Sequence, residues 1–449
     1  MSVSRVLYWF RQDLRLRDNR CFIRACDQAD ALLPVYVLDP AMDQPTRWGF
    51  DRVGPHRRAV LGQALRGLDF QLCQRGSGLC LLQGQPVDQL LATVRQGSID
   101  AVWVEDIAAP QERALVDALK QSLEPLGVPV YTGWQSSLIA PDDLPFTIDR
   151  LPDSFTPFRR RVEQATVNIE HPYPAPDAVP PWPESAHYQP VSIDTQCDAL
   201  CGGLTRPVTD SRGAFPYDDP DNSVDEIGAQ RHLNQYLARG LPHTYKATRN
   251  QLIGKDYSSK WSPFLALGVL SARQADAARQ CFEQMQGANE GTYWLRFELL
   301  WRDYFRFLHL KHGNRLYRAR GLAPDRPAPS HNVDLFERWK NAETGHDFID
   351  AAMTELVRTG YLSNRMRQVV ASYLIHDLGC DWRAGAAWFE SQLVDYDVYS
   401  NQGNWLYLAG YGTDPRGSRR FNTDKQAQDY DPDGAYRALW LSDRAAMPA

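Results

Sequence analysis

The sequence predicts an α/β domain built on a doubly wound parallel sheet, followed by an all-α domain. Residues 1–132 alternate short apolar runs, rich in β-branched and aromatic residues, with helical patterns. From about residue 224 onward, apolar residues recur with helical spacing almost throughout. Residues 133–205 show neither pattern, so we expect a long interdomain linker there and a helical domain over 206–449.

Five apolar runs in the first domain are expected to form the strands of the sheet. They are VLYWF (6–10), LLPVYVL (32–38), LCLLQ (79–83), AVWVEDI (101–107) and VPVY (128–131). Helical patterns fill most of the gaps between the runs, which is typical of successive βα units and predicts parallel pairing. No GxGxxG follows the first run, so the sequence does not indicate a dinucleotide in the usual Rossmann position.

The predicted linker contains the Pro-rich segment HPYPAPDAVPPWPE at 171–184. Connectors of this length are uncommon in compact proteins unless they wrap a surface, so we expect the linker to run along a domain. Beyond it, two long helical patterns end at Gly240 and Gly313, where glycine suits the position that follows a helix.

Composition and charge exclude several classes of protein. The formal net charge of -6 gives no overall nucleic-acid signal, so such binding would depend on arginine clusters near 159–161, 315–320 or 416–420, each of which has a solvated face as its alternative. Eight cysteines without CxxC or Cys/His spacing predict neither a disulfide framework nor a metal site. The sequence shows no N-terminal signal region and no run of about 18 apolar residues, so we expect a cytoplasmic protein without a membrane span. We also expect a monomer.

The segment DYDVYSNQGNWLY at 395–407 carries an unusual helical face. Read as a helix, it places Asp397, Asn401 and Trp405 at i, i+4 and i+8, so that a carboxylate, an amide and an indole share one side. Such a row suits a planar, hydrogen-bonding redox cofactor, because proteins tune such groups through hydrogen bonds and charge. A half-buried polar helix is the alternative interpretation.

A second stripe lies near residues 294–305. Trp294, Glu298, Trp301, Arg302 and Phe305 follow helical spacing, and a core of that composition would bury charges at a cost of several kcal/mol if they were unpaired. The stripe therefore predicts a pocket that stacks a flat ligand on Trp301 and hydrogen-bonds it through Glu298. A helix interface with a buried ion pair is the alternative.

The segment 257–263 precedes a helix that is predicted to begin at Pro263. Its hydroxyls, backbone amides and one lysine are the groups that hold phosphate, although a simple helix cap has the same composition. Tyr245 and Arg249 lie at i and i+4 and could reach the same anion.

Two further patterns complete the candidate site. Asn364, Arg367 and Gln368 lie in a helix that runs on to His376, and Asp395 is a candidate partner for Arg367. The indoles of Trp382 and Trp405 could pass an electron stepwise to the surface, with core packing as the alternative.

Where these segments converge, the sequence resembles the photolyase/cryptochrome family, and most closely its DASH cryptochrome branch. The resemblance is carried by WFRQDLRLRDN (9–19), TYKATRN (244–250), DYSSKWSPFLALG (256–268), FELLWRDYFRF (297–307), GYLSNRMRQVVASYL (360–374) and DWRAGAAWFESQLVDYDVYSNQGNW (381–405). These motifs are long and specific, and they span nearly the whole chain.

The resemblance implies FAD bound in the helical domain, with Tyr245 and residues 258–262 on the phosphates and Asn401 beside flavin N5. An amide at that place tolerates both the neutral and the anionic reduced flavin, whereas a carboxylate would oppose added negative charge. The cofactor-binding residues that it implies are Tyr245, Arg249, Ser258, Ser259, Lys260, Trp261, Ser262, Arg302, Asn364, Arg367, Asp395, Asp397 and Asn401.

The resemblance also implies light-driven repair of cyclobutane pyrimidine dimers, with Glu298, Trp301, Tyr407 and Asn401 as the catalytic residues. Duplex-specific relatives commonly carry Trp at the position of Tyr407 and Met at that of Gln368. Because stacking is worth about 1–3 kcal/mol per base, similar to the cost of extruding a base, the smaller ring predicts a preference for single-stranded DNA, with weaker binding of duplex DNA or RNA. The residues expected to contact nucleic acid are Gln368, Arg416, Arg419 and Arg420.

Two related activities compete with this interpretation. Repair of (6-4) lesions needs two histidines where this chain has Asn364 and Gln368, so we reject it. A blue-light photoreceptor without repair turnover is the main alternative, and a flavoprotein that binds nucleic acid structurally is a weaker one.

Two features bear on light capture and reduction. The resemblance implies a methenyltetrahydrofolate antenna on the α/β domain, with Glu105 as the acid that bonds the pterin, although a solvated strand end is the alternative. It also implies electron transfer through Trp405 and Trp382 to a third, surface tryptophan, but that position falls at Pro329, so reduction must end on another donor or be slow.

Overall fold

The computed structural model describes residues 4–184, 193–200, 209–219, 222–414 and 417–442. The predicted fold class is confirmed: a parallel sheet with strand order β3-β2-β1-β4-β5 is followed by a helical domain. The strands are β1 (Arg5–Phe10), β2 (Ala31–Leu38), β3 (Cys80–Gln83), β4 (Ala101–Glu105) and β5 (Val130–Gly133).

The helices of the first domain cover both faces of this sheet, and those after residue 224 build the second domain. They are α1 (Arg20–Gln28), α2 (Pro55–Cys73), α3 (Pro86–Gly97), α4 (Pro110–Leu123), α5 (Phe155–Gln164), α6 (Ile193–Leu200), α7 (Glu226–Ala238), α8 (Tyr245–Thr248), α9 (Ser262–Leu267), α10 (Ala272–Gln286), α11 (Glu290–His312), α12 (Val333–Lys340), α13 (Asp347–Thr359), α14 (Asn364–His376), α15 (Trp382–Gln392), α16 (Val398–Ala409), α17 (Thr423–Tyr430) and α18 (Ala435–Leu441).

Alternate residues of the central strand serve two separate cores. Tyr8 and Phe10 of β1 belong to the cluster that continues into the helical domain, whereas Leu7 and Trp9 belong to the cluster under α3 and α4. This is the period of two expected of a strand, and both faces are buried because helices cover both sides. Among the described residues, no helix is long and apolar enough to cross a membrane and no His, Cys, Asp and Glu cluster suits a metal ion.

The predicted linker differs from expectation in its secondary structure. It contains α5 and α6, and Phe155 and Phe158 of α5 are buried in the main core. Its Pro-rich part runs along the first domain, where the Pro181 carbonyl accepts from Leu32 N at 2.9 Å and Val179 N donates to the Arg75 carbonyl at 3.0 Å. Of the remainder, residues 185–192 and 201–208 lie outside the described part of the chain.

Polar contacts fix the two domains against each other at one point. The guanidinium of Arg273 donates to both Asp18 oxygens at 3.0 Å, and the Ser271 hydroxyl donates to the same carboxylate at 2.5 Å. Beside this pair, Arg15 donates to the Gly268 carbonyl at 2.8 Å. Gly268 has φ +70, and a Cβ there would overlap the carbonyl oxygen of Gln12.

Replacement of Gly268 by alanine therefore tests how closely the domains approach. We expect Gly268→Ala to lower the free energy of unfolding by clearly more than the ~1–2 kcal/mol that a left-handed alanine costs, because the methyl group must displace the Gln12 backbone. Gly240→Ala is the matched control, since Gly240 has φ +68 and nothing within 4 Å of the added carbon. Equal losses for both variants in urea unfolding would contradict the close approach.

Candidate functional site

The helical domain encloses a cavity of about 390 Å³ between the segment 257–262 and helices α11, α14 and α16. The predicted residues that line it are Tyr245, Arg249, Ser258, Ser259, Lys260, Trp261, Ser262, Glu298, Trp301, Arg302, Asn364, Arg367, Gln368, Asp395, Asp397 and Tyr407. A smaller cavity of about 90 Å³ shares several of these residues and adds Asn401 and Trp405. The structure thus brings together residues that the sequence separates widely.

Helix α11 supplies one wall of the cavity. Its start is fixed by Asn289 and Thr292, each of which caps the backbone N–H of the other residue. Glu298, Trp301 and Phe305 of the predicted stripe lie on the face of α11 that lines the cavity. Glu298 and Trp301 are half-buried, and Phe305 is buried. These three residues therefore face a cavity, whereas Trp294 does not line it, and Glu298 also forms an ion pair of the kind that the alternative interpretation required.

Trp301 is held rigidly for stacking. The ring of Phe155 lies parallel to it, with centroids 3.8 Å apart and planes at 11°. Tyr407 stands across from it at 6.4 Å and 71°. The aromatic pair Trp301 and Tyr407 thus borders the cavity with two differently oriented rings, which suits a ligand with more than one flat group.

Glu298 is half-buried and forms an ion pair with Arg249. Burial raises the pKa of Glu298, although Arg249 opposes that change. The Arg249 guanidinium also lies 4.7 Å over the ring of Trp294. The charge of Arg249 therefore faces Glu298, because the short helix α8 packs on α11. Since Arg249 also lines the cavity, its contact with a cofactor stays a prediction.

On the opposite wall, Arg367 donates to Asp395 at 2.8 Å as the sequence suggested, and to the Leu362 carbonyl at 2.8 Å. Burial disfavours the Arg367 cation, but Asp395 outweighs it and the pKa is raised. The second carboxylate oxygen of Asp395 is buried and has no hydrogen-bond partner among the described residues. A ligand with an N–H group would satisfy that oxygen.

The i, i+4, i+8 pattern predicted that Asp397 lies inside a helix. In the structure, Asp397 is instead the N-cap of α16. It accepts from Ser400 N at 2.7 Å and from Arg306 at 2.5 Å. Burial opposes its ionisation, but Arg306 and then Arg302 outweigh burial and hold the pKa of Asp397 well below its usual range. Asn401, one turn later, donates one amide hydrogen to the Ala386 carbonyl at 3.0 Å, so its orientation is fixed.

Lys260 differs from the expectation of a phosphate-binding cation. It adopts φ 54, and its ammonium is buried 3.2 Å above the ring of Tyr257 without a hydrogen-bond partner among the described residues. Burial lowers its pKa strongly, although Glu355 opposes this. The accessible groups of the segment 257–262 are instead Ser258, Ser259 and Ser262.

Arg302 lines the cavity, but its guanidinium is used by the scaffold. It donates to the carbonyls of Ser136 and Leu265, the second at 3.1 Å. Burial and then the neighbouring Arg306 lower the pKa of Arg302 to about 10. These two bonds join α11 to the segment before α5 and to α9, and a ligand contact of Arg302 stays a prediction.

The residues expected to contact nucleic acid are divided by the structure. Gln368 lines the cavity, and Arg419 lies 5.2 Å over the ring of Tyr407 while pairing with Asp414 at 3.3 Å. Arg420 instead pairs with Asp377 at 2.8 Å. Arg416 lies outside the described residues.

Glu105 does not occupy the accessible strand end that the antenna hypothesis required. Its side chain is 1% exposed, and neither carboxylate oxygen has a hydrogen-bond partner in the described part of the chain. Burial, followed by the charge of Asp13, raises its pKa to about 8. A separate cavity of about 220 Å³ beyond β1 and β2 is lined by Arg11, Tyr36 and Arg52, and Glu105 does not line it.

Several residues of the site were missed by the sequence. Phe155 lies in the predicted linker, so no pattern connected it with Trp301. Arg306 could have been found, since it follows Arg302 by one helical turn. Tyr361 lines the cavity just before α14, and the position of one aromatic residue in a loop gives no signal of its own.

Comparisons with known proteins agree with this geometry. Residues 6–178 match the family model described as DNA photolyase, and residues 294–449 match the FAD binding domain of DNA photolyase. Cryptochrome DASH of Gloeobacter violaceus is 42% identical over 100% of this chain and 87% of its own length. Cryptochrome DASH of Xenopus laevis is 42% identical over 97% of this chain and 82% of its own.

Solved structures give the same result. The crystal structure of a Synechocystis cryptochrome superimposes with a TM-score of 0.91 at 38% identity, covering 100% of this chain and 91% of the other. A class III photolyase from Agrobacterium tumefaciens gives a TM-score of 0.81 at 27% identity, covering 99% and 87%.

The burial of Glu105 predicts a pH dependence of stability. With a native pKa of about 8, the folded protein keeps this proton over a range in which the unfolded chain, with a pKa near 4.3, has released it. Wild-type stability should therefore fall as pH rises through that window, whereas Glu105→Gln stays neutral. We expect the melting temperature of Glu105→Gln to gain on wild type between about pH 5 and pH 8. Asp106→Asn is the control for losing a charge at the same strand end, and a constant difference for Glu105→Gln would contradict the assignment.

Proposed function

The chain belongs to the photolyase/cryptochrome family, in its DASH branch, and on that premise we propose that it repairs cyclobutane pyrimidine dimers with light, preferentially in single-stranded DNA. The observation that carries the proposal is one cavity with two kinds of wall. Glu298 and Trp301 form one side, and the Arg367–Asp395 pair forms the other. A lesion and a flavin could therefore lie next to each other.

The residues present fit FAD. The cavity volume of about 390 Å³ falls within the range usual for ligand sites, roughly 300–1,000 Å³. Asp395 Oδ1, Tyr257 Oη and Trp261 Nε1 are buried without partners among the described residues, and each such group costs about 1–3 kcal/mol until a ligand satisfies it. Ser258, Ser259 and Tyr245 would hold the phosphates, and Arg367, Asp395, Asp397 and Asn401 the ring. Reduced FAD, once bound, would supply the electron that opens the dimer on illumination and that returns afterwards.

On the lesion side, the residues of this chain divide the work. Trp301, fixed by Phe155, would stack on one pyrimidine, and Tyr407 would contact the other. Glu298 and its partner Arg249 would face a dimer carbonyl together, and burial, which raises the pKa of Glu298, would ease protonation of its carboxylate as negative charge develops there. Arg249 would hold that carboxyl group in position.

Contacts with the DNA backbone would come from the rim of the cavity. Arg419 lies above Tyr407 and would meet a phosphate beside the extruded dimer. Gln368 lies on the α14 side of the same opening. We keep methenyltetrahydrofolate as the proposed second chromophore, but the half-buried Asp106, and not Glu105, is the acid that a ligand at the end of β4 would meet.

A repair assay with single-stranded DNA carrying one defined cyclobutane dimer tests the proposal. Flavin-loaded, chemically reduced protein is illuminated, and restored pyrimidines are counted. We expect wild type to repair the lesion and Glu298→Ala to lose about 10- to 150-fold in repair efficiency, because a hydrogen bond to a charged group is worth about 1.5–3 kcal/mol. Glu298→Gln, which can still donate, should retain most of the activity.

The control for this assay is the flavin content of each variant, measured by absorption. Equal repair by wild type and Glu298→Ala would contradict the role of Glu298. Flavin binding without any repair would favour the alternative of a blue-light photoreceptor. The observation that supports this alternative is Pro329, which stands where the family's electron-transfer chain has a surface tryptophan.

The preference for single strands is tested at Tyr407. We expect Tyr407→Trp to bind dimers in duplex DNA up to about tenfold more tightly, since stacking is worth about 1–3 kcal/mol per base and offsets part of the cost of extrusion. Tyr407→Phe, which keeps the ring size, is the matched control and should leave the ratio of duplex to single-strand affinity unchanged. A ratio that is equally unchanged in Tyr407→Trp would show that another residue sets the preference.

A further inference from the structure

Two buried tryptophans lead from the cavity toward the protein surface. Trp405 lines the smaller cavity and packs on α15 at Gly385, where a Cβ would overlap its ring. Trp382 begins the same helix one turn earlier. Their side chains belong to one hydrophobic cluster and are 2% and 1% exposed. Both indoles therefore pack at α15, Trp382 as its first residue and Trp405 from the neighbouring α16.

Beyond Trp382, this conduit lacks its expected end. Trp382 donates to the Ala319 carbonyl at 3.0 Å, and the preceding Asp381 caps α15. The position at which a surface tryptophan was expected is Pro329, whose saturated side chain cannot donate an electron. Any replacement must be an oxidisable ring that reaches solvent near Asp381.

Trp48 satisfies both requirements from a different domain. It lies in the loop between β2 and α2, is half-buried, and packs against the cluster that contains Trp382 and Trp405. Its ring is 4.7 Å from that of His331, two residues after Pro329. Of the tryptophans in this cluster that the structure describes, Trp48 alone is only partly buried.

The charges around Trp48 connect it with Asp381. The Arg47 guanidinium lies 4.4 Å over the Trp48 ring, and Asp381 acts electrostatically on both Arg47 and His331. Burial, with Arg47 opposing Asp381, lowers the pKa of His331, so a neutral ring faces the indole. The guanidinium disfavours a lasting positive charge on Trp48, so an oxidised Trp48 should release its N–H proton to water.

We propose that Trp48 is the terminal electron donor that reduces oxidised Trp382, in place of the tryptophan missing at Pro329. This inference rests on the proposed flavin site, because bound FAD would supply, on illumination, the oxidising power that removes an electron from Trp405. One electron then passes from Trp382 to Trp405 and one from Trp48 to Trp382. Trp48 loses its indole proton to solvent, and a soluble thiol returns a hydrogen atom to the neutral Trp48 radical. The thiyl radical that remains combines with a second one to form a disulfide.

Tyr411 is the rival donor. It is half-buried, packs against the same cluster, and donates to the Pro327 carbonyl at 2.8 Å. Oxidation of a phenol must release a proton at the same time, and the Pro327 carbonyl is a poor base. Burial, followed by Asp381, also raises the pKa of Tyr411. An indole donor such as Trp48 needs no coupled proton transfer in the electron-transfer step itself.

The test compares flavin-loaded wild type, Trp48→Phe, Tyr411→Phe and Trp382→Phe by flash spectroscopy with a soluble thiol present. The readouts are the lifetime of the tryptophan radical and the rate of flavin reduction under continuous light. We expect Trp48→Phe to lower the yield of the long-lived tryptophan radical at least tenfold. Trp382→Phe should have the same effect, and Tyr411→Phe should behave like wild type. Trp48→Phe should repair dimers normally when its flavin is reduced chemically, which verifies that the variant is folded.

Wild-type radical lifetimes in Trp48→Phe would overturn the inference, as would loss of the radical in Tyr411→Phe with retention in Trp48→Phe. If no variant repairs DNA but wild type still forms a radical that depends on Trp48, the repair proposal fails while the donor assignment stands. If wild type binds flavin but forms no tryptophan radical at all, the donor assignment fails whatever the repair assay gives.

Discussion

The buried ion pair between Arg306 and Asp397 determines the geometry of the whole site. Asp397 caps α16, and Arg306 belongs to α11, so their 2.5 Å contact joins the helix that carries Glu298 and Trp301 to the helix that carries Asn401, Trp405 and Tyr407. Arg306 also donates to Ser136 Oγ at 3.2 Å, in the segment before α5. Since a buried pair that loses one partner costs about 3–5 kcal/mol, the relative position of the two walls is strongly constrained.

The same arginine also reaches the first domain. Its guanidinium lies 4.6 Å over the ring of Tyr399, whose hydroxyl accepts from Ala108 N at 2.7 Å at the end of the sheet. The cavity, the predicted linker and the α/β domain are therefore connected through one buried cation. These contacts hold the two walls of the cavity in place without a ligand. A ligand would therefore bind to a preorganised site and could form hydrogen bonds with groups that lack a partner among the described residues, such as Asp395 Oδ1.

The sequence predicted the fold from short-range patterns, and it predicted the cavity residues partly from helical spacing and partly from the family resemblance. Alternating β and α patterns specify parallel strands, and helical spacing specifies that Glu298, Trp301 and Phe305 share a face. The burial of each side chain and the identity of its hydrogen-bond partner depend on the whole fold, so they are harder to predict from the sequence. Both faces of a doubly wound sheet are covered, so the alternation of β4 could not show that Glu105 would be buried. Likewise, only tertiary packing explains why Lys260, at φ 54, turns onto Tyr257.

Two of the differences from the pattern of related photolyases, at Tyr407 and Pro329, lie at half-buried positions. The inner indole Trp405 is pressed between Gly385 and Phe389, whose ring is 5.1 Å away, and removing a buried tryptophan side chain costs about 3–5 kcal/mol. A half-buried aromatic ring at the outer end of the tryptophan path has fewer packing contacts than Trp405. The loss of a surface tryptophan at position 329 would therefore be tolerated if another oxidisable ring reached the same surface. The proposed repair step would return the electron and would need no surface donor. Selection for repair would thus preserve Trp301 and Glu298 while leaving the outer end of the tryptophan path free to change.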